Sequence, residues 1–177
     1  MKKVLFILSL LFMPFMASAQ NTILSQVDEI AQVEDGDGNT VLNVINLPEN
    51  GQNHYWLSVG NLGVGNKIVQ IQIDPAFELF LPLGDNLTDA VDAVEELFKQ
   101  SKEPRGTTVK RQGCLVFAVP SQDKLEEVTV TSRKVLFSRN LEFMLERDGY
   151  TRITYVSKSH LSTLNKGMKF YARFHDK

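Results

Sequence analysis

Asn86-Leu87-Thr88-Asp89-Ala90-Val91-Asp92-Ala93-Val94-Glu95-Glu96-Leu97-Phe98-Lys99-Gln100 is the stretch on which the reading of the fold turns. Leu87, Ala90, Val91, Val94, Leu97 and Phe98 recur every three or four residues and draw one apolar stripe along a helix. Asp89, Asp92, Glu95, Glu96 and Lys99 take the opposite side, with acid early and the base late, as the helix dipole favours. Asn86 is placed to cap the helix, and Asp89 stands three residues on, in the capping-box position.

Around this helix the chain reads mostly as strands. Residues 40–47, 54–59 (with the single tryptophan, Trp56), 77–81 and 114–119 are short apolar runs bounded by turn residues. Residues 67–73 alternate, with Val69, Ile71 and Ile73 on one face. Residues 125–139 are strand-rich and long enough to bend or break once. Residues 141–156 read as a hairpin. A three-residue loop, Arg147-Asp148-Gly149, sets Leu145 opposite Thr151, Phe143 opposite Ile153 and Leu141 opposite Tyr155. A two-residue loop would instead pair Leu145 with Arg152.

Two segments read less cleanly. Ile23, Leu24, Val27, Ile30 and Ala31 have helical spacing, so residues 21–34 are expected to form a short helix. Residues 159–166 are expected to form one helical turn or a loop. Residues 168–174 read as a last strand with Phe170, Ala172 and Phe174 on one face. The expected class is α+β, a mainly antiparallel sheet with helix 86–100 packed on a face; the alternative is a β-sandwich with that helix inserted.

The first residues read as an address. Met1-Lys2-Lys3 precedes an apolar run interrupted by Pro14, and Ala17-Ser18-Ala19 is a small-residue cleavage signal. Cleavage between Ala19 and Gln20 is expected, so residues 1–19 are a signal peptide and residues 20–177 a single globular domain. The two-lysine start points to a bacterial envelope, hence to a secreted or periplasmic protein. No Cys follows the cleavage point, so no lipid anchor is expected, and no transmembrane segment is expected in the mature chain. The one cysteine, Cys114, allows no intramolecular disulfide. Within Cys114-Leu-Val-Phe-Ala-Val it is expected to be a buried core residue and not a nucleophile.

Charge is unevenly distributed along the chain. Residues 20–98 hold 13 acids and one base, Lys67; residues 99–177 hold 16 bases and 8 acids. Either the two halves interleave and pair, or the molecule is dipolar and its basic side meets an acidic partner. Lys166, Lys169, Arg173 and Lys177 are the expected basic interaction face, with an acidic protein or an envelope polyanion as partner. Nucleic acid is not expected, because the whole chain is acidic and the destination is extracytoplasmic.

Motifs for chemistry are sparse. Asp35-Gly36-Asp37-Gly38-Asn39 opens like a calcium loop but has Thr40 at position six and Asn46 at position twelve, so a turn is expected. His54, His160 and His175 lack ligand spacing, and Gly60-Asn-Leu-Gly-Val-Gly65 lacks the Lys-Ser/Thr ending of a phosphate loop. Asp89, Asp92 and Glu96 are expected to be a solvated helix face. No cofactor or metal is expected. The leading functional expectation is a small exported domain, not an enzyme, that binds a protein or envelope polymer. One alternative is a carrier of an apolar ligand between helix and sheet, lined by Trp56, Phe80, Val91 and Phe98. The other is a hydrolase whose carboxylates or histidines converge only in the fold.

Overall fold

The computed structural model describes residues 27–60, 63–65, 72–73, 78–116, 119–135 and 137–175. The signal peptide, the cleavage point at Ala19 and Gln20, residues 67–71 of the alternating strand and Lys177 lie outside the described residues.

The described residues form ten strands and two helices. The strands are β1 (Asp28–Glu34), β2 (Thr40–Asn46), β3 (Tyr55–Val59), β4 (Gly63–Gly65), β5 (Gln72–Ile73), β6 (Glu78–Gly84), β7 (Thr108–Val116), β8 (Glu126–Val135), β9 (Ser138–Arg147) and β10 (Tyr150–Ser157). The helices are α1 (Leu87–Gln100) and α2 (Lys158–His175). The class is α+β: one antiparallel sheet in the order β1-β2-β3-β6-β7-β8-β9-β10-β4-β5, with helices on one face.

The sheet curls until it meets itself. β3 and β4 are almost continuous in sequence, yet β3 pairs with β6 while β4 pairs with β10. The Thr154 hydroxyl of β10 donates to the Gly60 carbonyl just after β3 at 3.1 Å, joining the two ends of the circuit. β7 makes the bend possible. Its first part (108–113) pairs with β8 and its last part (114–116) with β6. Gly113 stands at the changeover, where an added Cβ would lie 2.6 Å from Val128 Cγ2. Any side chain there would crowd the core side chains of Val128, Leu79 and Leu81 and force them to shift.

α1 forms as its stripe dictates. Ala90, Val94 and Leu97 are buried against the sheet. Asn86 caps it, accepting the Asp89 N–H at 2.9 Å, and the Asn86 amide donates to the Asp89 carboxylate at 2.6 Å. The last turn is tied to β8: the Gln100 amide donates to the Val130 carbonyl (2.9 Å), and Ser132 Oγ donates to the Gln100 carbonyl (2.7 Å).

Three expectations are corrected. Residues 28–34 are strand β1 and not part of a helix. The Asp35–Asn39 turn folds them back on β2, and a register shift near Glu29 and Ala31 blurs the alternation that would have marked a strand. The 141–156 hairpin has the two-residue loop. Asp148 (φ 55°) and Gly149 (φ 76°) are both left-handed, the turn whose twist matches flanking strands. Leu145 therefore faces Arg152, Phe143 faces Thr154 and Leu141 faces Val156. Local turn geometry outweighed the all-apolar face, and Arg152 donates to the Arg147 carbonyl at 3.4 Å. Last, residues 158–175 are one helix, not a turn followed by a strand. Leu161, Leu164 and Met168 recur at helical spacing and are buried with the core. The long segment 125–139 does break once, between β8 and β9.

The opposite sheet face carries a smaller cluster of Ile45, Trp56, Phe80 and Cys114. Cys114 is a free, fully buried thiol.

Candidate functional site

α2 starts where β10 stops. Ser157 Oγ accepts the His160 N–H at 3.2 Å and so caps the helix that follows it. With Leu161, Leu164 and Met168 turned to the core, the opposite side carries Lys166, Lys169, Phe170, Arg173 and Phe174, all exposed. The basic residues expected to act together, Lys166, Lys169 and Arg173, thus share one face, a helical one; Lys177 lies outside the described residues. Phe170 and Phe174, expected to be the buried side of a strand, are 64% and 62% exposed. Their rings pack on each other, centroids 5.0 Å apart and tilted by 57°. One turn of helix brings them together (i, i+4). At the end of the helix Tyr171 and His175 stack at 3.9 Å.

The bases on this stripe are not equivalent. Lys169 Nζ lies 2.7 Å from Glu95 Oε2 on α1, and Lys99 lies 3.0 Å from the other oxygen. Hydrogen bonds from Lys169 first, then Lys99, hold the Glu95 carboxyl down to about 2. Lys169 is therefore spent on joining the helices. Lys166 and Arg173 have no carboxylate within ion-pair distance among the described residues.

The acidic and basic halves of the chain do not interleave in the sheet: β1, β2, β3 and β6 form one block and β7 to β10 the next, with β4 and β5 beyond them, and the two halves pair only in part. Arg111–Glu96 (3.5 Å), Lys169–Glu95 and Lys99–Glu95 cross between them, while Lys110–Glu127, Arg133–Glu142 and Arg147–Glu126 lie within the basic half.

Elsewhere the polar side chains serve the fold. Asp35 Oδ1 accepts the N–H groups of Asp37 and Asn39, both at 2.9 Å, and these bonds, Asn39 foremost, lower its pKa. Its carboxylate is consumed by its own turn. The Asp89 carboxylate accepts the Asn86 amide of the cap and Glu96 meets Arg111, so the helix-face carboxylates do not converge. Glu142, unremarked in the sequence, is the most enclosed carboxylate of an ion pair. Arg133 donates to its Oε1 through Nε (3.1 Å) and Nη2 (2.7 Å), and Tyr155 donates to Oε2 at 2.8 Å. Burial and then this bond raise the Tyr155 hydroxyl pKa, and the Glu142 bond raises that of Arg133. The three groups form a closed clamp across β8, β9 and β10. Its signal was the alternation of the hairpin, once its register is known.

The histidines go to three places. His54 Nδ1 lies 2.8 Å from the largely exposed Asp85, His160 packs at the start of α2, and His175 stacks on Tyr171. No group of three or more His, Cys, Asp or Glu among the described residues could hold a metal ion. Trp56 and Phe80 belong to the cluster on the far sheet face, whereas Val91 and Phe98 pack on the helix side, so these four do not line one cavity. No described helix is long and apolar enough to cross a membrane. Comparison with known proteins finds no matching protein family, no similar curated protein and no similar solved structure.

Proposed function

We propose that this is an exported binding domain, not an enzyme, that docks an acidic protein surface through the outward stripe of α2. One observation carries the reading: two phenylalanines held against each other in solvent, beside Lys166 and Arg173 with no carboxylate partner among the described residues. Phenylalanine and arginine are among the residue types enriched at protein interfaces. The rings need apolar contact to be buried, which favours a protein partner over a purely anionic polymer. Bases without a carboxylate partner among the described residues steer an acidic surface towards them.

The mature domain, starting at Gln20, is the form that acts; intact-mass analysis of secreted material tests this, and a mass retaining residues 1–19 would contradict it. The docking face is tested by capture from the source organism's envelope proteins, comparing the mature protein with Lys166→Glu/Arg173→Glu. The wild type is expected to retain an acidic protein that is released as salt rises past roughly 0.1 M, where the Debye length is about 10 Å. The double reversal, with an unchanged melting temperature, is expected to lose it. Identical capture by both proteins would reject the reading.

A further inference from the structure

The sheet face that carries no helix bears two adjoining hollows that share Leu47, Val119 and Pro120. The larger, about 250 Å³, has Ile45 and Phe80 as apolar walls, with Asn43, Ser58 and Glu78 among them and Glu29 at the rim. The other, about 220 Å³, is lined by Trp56 and Glu49. No lysine or arginine among the described residues lines either hollow, and His54, which lines the second, is engaged by Asp85. Ser58 Oγ donates to Glu78 Oε1 and leaves the rest of that carboxylate's accepting capacity to other donors. Asn43 Oδ1 is buried with no hydrogen-bond partner among the described residues. The walls are apolar, and the remaining polar capacity is that of acceptors, the neutral Asn43 amide oxygen and the Glu78 carboxylate.

That combination defines the ligand. β2, β3 and β6 each have a strand on both sides, so the floor of the hollow presents side chains; the sheet's free edge is that of β1, whose Glu29 stands only at the rim. Its size lies below the roughly 300–1,000 Å³ of sites for drug-sized molecules. We infer that this hollow binds a small amphiphile with a protonated primary amine and a short apolar tail. The ammonium donates to Glu78 and Asn43, and the tail packs on Ile45, Phe80 and the neighbouring Trp56. The site lies on the sheet face opposite the helices and does not depend on the docking proposed for α2.

Trp56 is the only tryptophan in the chain and so supplies a fluorescence signal from this place alone. The mature protein is titrated at fixed ionic strength with hexylammonium, hexanoate and hexanol. Saturable change with hexylammonium is expected, with hexanoate weaker by about tenfold or more, as a charge-assisted hydrogen bond requires. Glu78→Gln is expected to weaken hexylammonium by about tenfold while leaving hexanol unchanged. Glu29→Gln, at the exposed rim, gives a second reading should Glu78→Gln fail to fold, with a smaller loss in the same direction. Equal response to cation and anion, no response at all, or indifference to both substitutions would overturn the inference. Tighter binding of a lysine-containing apolar hexapeptide than of hexylammonium would overturn it too, in favour of a peptide site.

Discussion

α1 and α2 lie side by side on the same face of the sheet, and each buries one stripe of apolar residues. They differ in what they show to water. α1 presents Asp89, Asp92, Glu96 and Lys99 and leaves none of its large apolar side chains fully exposed. α2 presents Lys166, Lys169 and Arg173 together with two phenylalanines whose tilted rings pack on each other. Packing accounts for all of α1. It does not account for Phe170 and Phe174, whose rings contribute nothing to the core. A helix that keeps large apolar groups in solvent, on the side away from its own sheet, has a second surface to satisfy.

The sharpest way to break this comparison is to cut the core beneath each helix. Leu97→Ala and Leu164→Ala, both in fully packed positions, should each cost about 2–5 kcal/mol in chemical denaturation. Phe170→Ala and Phe174→Ala should change stability by no more than about 0.5 kcal/mol. A large loss at either phenylalanine would mean that the pair serves the fold after all.

The charges of α2 divide in the same manner. Lys169→Glu should lower the melting temperature, because it removes the partner of Glu95 and sets a like charge beside it. Arg173→Glu should leave it unchanged. Equal effects would show that the stripe is one electrostatic unit instead of one tie and two bases with no carboxylate partner among the described residues.

The smallest effect is that of acid. Glu95 is held at about 2, below the ordinary value of 4.5. A carboxyl depressed in the folded state stabilises fully above its unfolded pKa, and that contribution is lost as pH falls through the folded one. The α1–α2 tie should therefore weaken between pH 4.5 and about 2. Melts of Glu95→Gln should show a shallower loss across that window than wild type; parallel curves would remove the tie from the account.

The same contrast explains how much of the fold was legible. α1 was plain in the sequence because its apolar residues fall on one stripe only. In α2 they fall on two: Leu161, Leu164 and Met168 face the core, and Phe170 and Phe174 face solvent. From Met168 to Phe174 the exposed rings mimic the alternation of a strand, so the pattern of burial and the pattern of sequence disagree. Such disagreements gather where a surface serves something other than the fold. Ser157 was the available signal, a serine cap directly before the core-facing leucines. The β9–β10 register misled for another reason. Pairing by apolar faces ignored that an Asp-Gly pair supplies two left-handed residues, and the resulting Arg152 position is tolerated. Of the site, the bases Lys166, Lys169 and Arg173 were found from composition. Which of them is paired depended on α1, far away in sequence, and so could not be read.

The most direct test of α2 as a docking surface is quantitative capture of envelope proteins by the mature domain and by Phe170→Ala/Phe174→Ala at equal melting temperature. An acidic protein held by wild type and depleted at least about tenfold by the double variant is the predicted result, as two interface aromatics at more than about 1 kcal/mol each imply. Undiminished capture by the double variant would contradict it.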